Sequence, residues 1–341
     1  MVRIGIVGVT GYSGRELIRY LLRHPHVQLT YVAARRIETP APLTDIYPEL
    51  AGRLALDYRP FAAREAVAAC DVLFLALPPG VAMTVVPACL KAGRYVIDLS
   101  GDYRLDSAAA FARAYGLRHR DAHQLRHAVY GLTELYREPL RETRLVANPG
   151  CYPTAALLAS APLVSRHLVE PAGVIIDAKS GVTGAGRALR EDLLFTEVHE
   201  DLRAYKVNAH PHRPESDQEL RQLHGARMTC TFVPHLVPMN RGLYATVYLR
   251  LRRRVTARQV QRWYEAYYHQ EPFVRVLPPT GAPKTARVAH TNDAEIAVRV
   301  AGGGRLVIAM AAIDNLGKGA AGQAVQNMNV MLGFNETTGL L

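Results

Sequence analysis

Cys151 stands in the stretch Asn148-Pro149-Gly150-Cys151-Tyr152-Pro153-Thr154. An apolar run before it (Leu145, Val146, Ala147) reads as a strand end. The segment from Pro153 to Val164 after it repeats Ala and Leu on one helical face. Pro149 and Gly150 enforce a turn, and Pro153 suits a first helical turn, where a missing N–H costs nothing. The cysteine thus falls at a helix N-terminus, whose dipoles favour thiolate over thiol, and the thiolate is the nucleophile. Local sequence leaves a second reading open, a buried structural cysteine in a tight turn. Farther along, Tyr205 to Glu215 concentrates His210, His212, Arg213 and Glu215, groups that move protons and hold anions. His119, His123 and His127 have helical i, i+4, i+8 spacing, but Arg118, Arg120 and Arg126 among them would repel a cation, so no metal is assigned.

Two kinds of element must position these groups. The chain opens with a strand (Arg3 to Val7), the turn Gly8-Val9-Thr10-Gly11-Tyr12-Ser13-Gly14, an amphipathic helix (Arg15 to Leu22) and a second strand (Gln28 to Ala33). This is a βαβ unit with glycines in its first turn, where the backbone can approach a pyrophosphate seated on the helix N-terminus. Gly8, Thr10, Gly11, Tyr12, Ser13 and Gly14 are the candidate cofactor contacts. The second strand ends Ala34-Arg35-Arg36, where an NAD enzyme usually carries an acidic residue. Two guanidiniums suit a 2′-phosphate and point to NADP, the other reading being a solvated charge pair. Further strands, Asp71 to Leu77 and Tyr95 to Leu99, put Pro78–Gly80 and Ser100–Arg104 at the carboxyl ends where open parallel sheets bind ligands.

After Cys151 the pattern changes. A strand from Gly173 to Ala178 leads into a second glycine-rich loop, Lys179 to Arg187, which reads as a backbone anion nest or a plain flexible loop. Met228–Val233, Leu243–Leu251 and Ala294–Val300 are strand-like, Ala257–His269 is a helix, and Gly302-Gly303-Gly304 turns the chain into Arg305–Ile313. Together they suggest a mixed sheet with one face covered by helices. Asp314 to Gly322 opens a small-residue helix that packs back against the nucleotide domain.

Composition bounds the class. At 341 residues, 49% apolar and 21% charged, the chain has room for two cored domains and no apolar run long enough to span a bilayer. The strand beginning at Met1–Val7 leaves no room for a signal peptide, so a cytoplasmic location is expected. Cys70, Cys89, Cys151 and Cys230 form no C-x-x-C pair, which argues against a zinc site or a disulfide framework. The net charge of +11 comes mostly from dispersed arginines. With no basic, aromatic-interleaved stripe, the positive field points to small anionic ligands rather than nucleic acid.

The Gly8–Gly14 turn, Tyr130-Gly131-Leu132-Thr133-Glu134-Leu135, Asn148–Thr154, Ser180–Arg187, His210–Glu215 and Ala312–Gly322 occur in the order found in the N-acetyl-γ-glutamyl-phosphate reductases, and the chain resembles that family over essentially its whole length. The resemblance implies an aspartate-semialdehyde-dehydrogenase-like fold: an α/β Rossmann NADP-binding domain (1–148 and 315–341) and an α+β catalytic and oligomerisation domain (149–314). It implies Cys151 as nucleophile and His212 as acid/base. Pro78, Ser180, Gly181, Gly184 and Asn315 join the cofactor contacts, and Arg104, Asn148, His210 and Glu215 are candidates for substrate. The resemblance further implies a small acyl phosphate as substrate, NADPH as cofactor, and a homodimer or homotetramer without nucleic-acid or membrane partner. Departures are Pro79 where histidine is common, Gly101 where alanine is common, and Pro211 where arginine usually separates the two histidines. Aspartate-semialdehyde dehydrogenase, a carrier-linked aminoadipyl-phosphate reductase and a non-catalytic NADP sensor are the alternatives. The first usually lacks Pro-Gly before its cysteine, and a sensor has no use for the thiol and histidines.

Overall fold

The computed structural model describes residues 1–34 and 37–341 and divides into two compact units, Met1–Pro149 with Ala320–Leu341, and Gly150–Gly319. Arg35 and Arg36, the proposed 2′-phosphate contacts, lie outside the described residues.

The first unit is built on an eight-stranded sheet of β1 (Val2–Val7), β2 (Val27–Ala34), β3 (Ala41–Pro42), β4 (Asp57–Pro60), β5 (Val72–Leu75), β6 (Tyr95–Asp98), β7 (Val129–Tyr130) and β8 (Leu145–Ala147). Their order is β3-β4-β2-β1-β5-β6-β8-β7, parallel except for β3 against β4. The all-apolar runs of the central strands follow from burial on both faces: Ile4, Ile6, Val72, Leu73, Phe74, Leu75, Val96 and Ile97 are fully buried. Burying each such side chain contributes roughly 1.5–3 kcal/mol. The chain order reverses beside β1, the place where doubly wound sheets bind nucleotides. The helix Gly322–Met331 returns to this unit and packs on the helices Tyr12–Leu21 and Thr133–Glu142. It is polar yet buried, because Asn327 donates to the Gly131 carbonyl and accepts from Thr133, while Gln323 also donates to Thr133.

The second unit is a seven-stranded mixed sheet of β9 (Val169–Gly181), β10 (Arg203–Ala204), β11 (Cys230–Val237), β12 (Leu243–Leu251), β13 (Val274–Val276), β14 (Ala294–Ala301) and β15 (Leu306–Ile313), ordered β10-β11-β9-β12-β15-β14-β13. One face packs on the helix Cys151–Val164, of which every residue but Cys151 is buried. Tyr264 and Tyr268 on the helix Ala257–Tyr268 cap the carbonyls of Ala159 and Leu158. The opposite face carries Thr231, Ile175, Tyr248 and Ile308 in one row and Val233, Asp177, Thr246 and Met310 in the next, all at least partly exposed. Among the described residues no helix is long and apolar enough to cross a membrane.

Three expectations need correction. Lys179, Ser180 and Gly181 are strand residues, because β9 pairs with β11 and β12 as far as Gly181. Their peptide groups thus belong largely to the ladder, and the turn Val182–Ala185 begins later. His119, His123 and His127 do not share a helix face, since the helix covers only Ala122–Leu125 and His119 Nε2 pairs with the Asp102 carbonyl. The segment after Asp314 starts as a π-helical turn, Gly317–Ala321, before α-helix resumes at Gly322.

Candidate active site

Cys151 is the first residue of the helix Cys151–Val164, and Gly150 is its N-cap with no side-chain cap. The helix has no acidic side chain in its own first turn, and its N-terminal dipole favours the thiolate at Cys151. Cys151 is partly exposed, whereas Cys70, Cys89 and Cys230 are buried. Burial pushes the Cys70 and Cys89 thiols up to about 11 and that of Cys230 well above its ordinary value.

The peptide before the thiol is gripped by one helix, His212–His224. The Gly150 N–H donates to the buried Glu215 carboxylate at 2.8 Å. One turn earlier on the same face, the His212 ring lies over Gly150, so closely that a Cβ there would fall 2.4 Å from Nε2 and 2.7 Å from Cδ2 and Cε1. Glycine is required at 150 for this approach. The Gly150 N–H, committed to Glu215, is therefore not one of the donors around the thiol.

The two histidines are differently engaged. His210 Nδ1 accepts the backbone N–H of His212 at 3.1 Å, an N-terminal cap for its helix, so the neutral ring carries its proton on Nε2. Pro211 between them adopts φ −57° and ψ −23°, a helical geometry that its ring favours. The departure from arginine thus stiffens the helix start. Tyr152 meets His210 and His212 edge-on, at ring separations of 5.7 and 5.9 Å. Tyr205 donates to the Tyr152 hydroxyl, which donates to the His235 carbonyl at 2.9 Å. Burial raises both phenols, Tyr205 to about 12, and keeps them neutral. Neither tyrosine is marked in the sequence, because their packing spans residues 152 to 235 and leaves no local signature.

A second wall comes from the end of the unit. Asn315 accepts the Gly242 N–H and donates to Thr183 Oγ1, joining the turn after β9 to the start of β12. Ser180 Oγ lies 2.7 Å from where a Gly184 Cβ would stand, and a Cβ at Gly181 would lie 2.8–3.0 Å from the backbone of Met239 to Arg241. Ser180, Gly181, Gly184 and Asn315 are therefore one constellation. Asp314, fully buried, pairs with Arg241 at 2.9 Å and accepts the N–H groups of His290, Leu316 and Gly317.

In the first unit, Gly8 has φ +96°, and a Cβ there would fall 2.1 Å from the Ala76 carbonyl oxygen. One at Gly14 would lie 2.5 Å from the Gly8 carbonyl oxygen. The turn is thus a cradle that only glycine permits. It leads into the helix Tyr12–Leu21, which has no side-chain cap and no acidic residue in its first turn. These residues fit a dinucleotide pyrophosphate. Pro78 is exposed just beyond the end of β5. Arg104 and Asn148, by contrast, are buried in backbone ties. Arg104 donates to the carbonyls of Asn148 and Leu99, and Asn148 donates to that of Ala320. Gly101 faces the Tyr115 hydroxyl, 2.1 Å from where a Cβ would be, so this chain fills with a tyrosine the space an alanine methyl needs.

Asp98, at the end of β6, is wholly buried, and burial together with nearby Asp102 raises it to about 7 against its bonds from Ser100 and the Arg104 charge. The folded pKa exceeds the unfolded one, so folding takes up a proton between pH 4 and 7. Stability there falls by up to about 1.4 kcal/mol per pH unit from this group. Asp98→Asn is expected to unfold at a higher temperature than the parent, the gap widening from pH 4 to pH 8. A constant gap across that range in thermal melts would contradict it.

A two-unit chain with a glycine cradle in one unit and a helix-capped thiol beside a histidine in the other defines a class. Residues 3–143 match the family of the semialdehyde dehydrogenase NAD binding domain and residues 151–315 that of the semialdehyde dehydrogenase dimerisation domain. Aspartate semialdehyde dehydrogenase II of Vibrio cholerae complexed with ASA superposes with a TM-score of 0.74 at 15% identity, over 97% of this chain and 98% of that one. Aspartate semialdehyde dehydrogenase with NADP from Candida albicans gives 0.71 at 13%, over the same shares. Sequence similarity is closer elsewhere: the N-acetyl-gamma-glutamyl-phosphate reductase of Desulfotalea psychrophila is 46% identical over 341 residues, 100% of this chain and 98% of the relative. The chain belongs to the N-acetyl-γ-glutamyl-phosphate reductase family.

Proposed function

We propose that the chain reduces N-acetyl-L-glutamyl 5-phosphate to N-acetyl-L-glutamate 5-semialdehyde with NADPH, the reductive dephosphorylation step of arginine biosynthesis. The observation that carries the chemistry is Gly150, the residue before Cys151, held between the Glu215 carboxylate and the ring of His212. Gly8, Thr10, Gly11, Tyr12, Ser13 and Gly14 hold the pyrophosphate, Pro78 lies beside it, and Arg35 and Arg36 hold the 2′-phosphate. Ser180, Gly181, Gly184 and Asn315 hold the nicotinamide end. When bound, NADPH supplies the hydride that reduces the acyl carbon.

Cys151 as thiolate attacks that carbon, a C–S bond forms, and the C–O bond to phosphate breaks. Inorganic phosphate leaves, and a thioester on Cys151 remains, so one hard displacement becomes two easier steps. N–H groups of the first helical turn stabilise charge developing on the carbonyl oxygen; losing one such donor costs about 3 kcal/mol. His212 takes the thiol proton and returns one as the aldehyde leaves and the C–S bond breaks. His210 and Glu215 act by holding His212 and Gly150. Arg104 and Asn148 act by fixing the backbone before the thiol.

The enzyme is further read as a cytoplasmic homodimer or homotetramer. Support comes from the unpaired cysteines and from the part-exposed sheet face of a unit that matches a dimerisation domain. The Arg35→Ala/Arg36→Ala variant is expected to lose most of its preference for NADPH over NADH. Each charge-assisted bond to a 2′-phosphate is worth roughly 1.5–3 kcal/mol, about 10- to 150-fold. Equal use of the two cofactors by the unmodified enzyme would contradict that assignment.

The substrate is tested in the reverse direction, by phosphate-dependent NADP⁺ reduction against a panel of semialdehydes. N-Acetyl-L-glutamate 5-semialdehyde should be the best substrate and aspartate semialdehyde at least ~100-fold poorer, because polar groups built for an amide are left unpaired without one. Equal turnover of aspartate semialdehyde would overturn the substrate while leaving the thiol chemistry standing.

A further inference from the structure

Lys318 is the fully buried cation of the second unit, 0% exposed, where a methionine or leucine would fill the same space without the cost of desolvating an ammonium. Its Nζ lies 5.8 Å from the ring centroid of Phe273, itself 1% exposed, within the range of a cation–π contact. The residue sits in the π-helical turn Gly317–Ala321, a wide turn of the kind concentrated at functional sites. The next residue touches the nucleophile. A Cβ at Gly319 would stand 2.8 Å from Cβ of Cys151 and 3.4 Å from its Cα, so the bare Gly319 backbone is the wall behind the thiol. Gly319 also donates its N–H to the Asp314 carbonyl at 2.9 Å, and the Asp314 carboxylate binds the N–H groups of Leu316 and Gly317. The turn is thus fastened ahead of its first residue by Asp314 and at its second residue by the side chain of Lys318.

We propose that Lys318 is a positioning residue for Cys151. Anchored over Phe273, it holds the π-helical turn so that Gly319 stays against Cβ and Cα of Cys151 and thereby sets the position of the thiol. The proposal rests on Cys151 being the nucleophile. Its physical content is that the thiol is located from two sides: by the helix carrying His212 and Glu215, and by a glycine whose place depends on a buried ammonium. Displacing a reacting group by about 1 Å costs on the order of 100-fold in rate.

The test uses the full-length enzyme and the variants K318M, F273L, their double variant and G319A, each followed by kcat, KM, the iodoacetamide alkylation rate of Cys151 and thermal unfolding, with C151A as the control for the nucleophile. K318M keeps the length and removes the charge. It is expected to lower kcat about 10- to 100-fold with KM changed by less than about twofold, and to change the alkylation rate in a protein that still melts cooperatively. F273L should act in the same direction, and the double variant should be no worse than K318M alone, because the two side chains form one anchor. G319A, which sets a methyl against Cys151, should show the same loss in kcat. A folded K318M with parental kcat and alkylation, or with a loss in KM alone, overturns the proposal. Should K318M not fold, G319A decides, and parental kcat there overturns it. Turnover retained by C151A would instead bring down the nucleophile assignment itself, so the two failures are distinguishable.

Discussion

Cys151→Ala is expected to lose turnover by on the order of 10³-fold or more, since no other group can form the acyl intermediate. The fold should survive. The thiol is partly exposed at the first position of its helix, and alanine is a good helix former. NADPH binding should survive as well, because Cys151 is not among the residues assigned to the cofactor in either unit. In the parent enzyme iodoacetamide should label Cys151 ahead of the other three cysteines. Cys70 and Cys89 are buried with thiols pushed up to about 11, and Cys230 is buried and raised further. Peptide mapping after partial alkylation reads the order, and earlier labelling of Cys70, Cys89 or Cys230 would contradict the assignment.

The second large effect is at His212. Proton transfer by a placed imidazole is worth about 10²- to 10⁴-fold, and His212→Asn should lose turnover on that scale. His210→Asn should cost less, because the His210 Nδ1 contact with the His212 N–H is a cap that an asparagine side chain can partly replace. Kinetics of the two variants at several pH values decide the matter. The parent's low-pH activity limb should vanish in the His212 variant and persist in the His210 variant. A larger loss at His210 would reverse the roles given to the pair.

What could be read from the residues divides by range. The turn Gly8–Gly14 is legible because it falls between a strand and a helix and Gly14 answers to the Gly8 carbonyl within the same turn, whereas the demand on Gly8 comes from the distant Ala76 carbonyl just past the end of β5. The helix after Cys151 is legible for the same reason, with Gly150 and Pro153 marking its first turn. Ser180 and Gly181 read as loop because glycine and serine commonly mark turns, whereas pairing on both sides with β11 and β12 holds them in the sheet. The bonds of Glu215 to the Gly150 N–H and of His210 to the His212 N–H are not legible in the sequence, where a carboxylate near a histidine reads only as a substrate contact. The Asp314-to-Gly319 turn was likewise hidden. Its small residues suggested helix packing, while the reason for Gly319 is a cysteine 168 positions away in the chain, near enough in space to touch.

The proposed chemistry turns on a covalent intermediate on Cys151, which intact-protein and peptide mass spectrometry detect. Enzyme mixed with N-acetyl-L-glutamyl 5-phosphate in the absence of NADPH should release phosphate and gain one N-acetylglutamyl group on the peptide holding Cys151. That group should be removed by hydroxylamine, as a thioester is, and lost when NADPH is added. An acyl group found on any other residue, or full turnover on adding NADPH to enzyme that never carries one, would contradict the account.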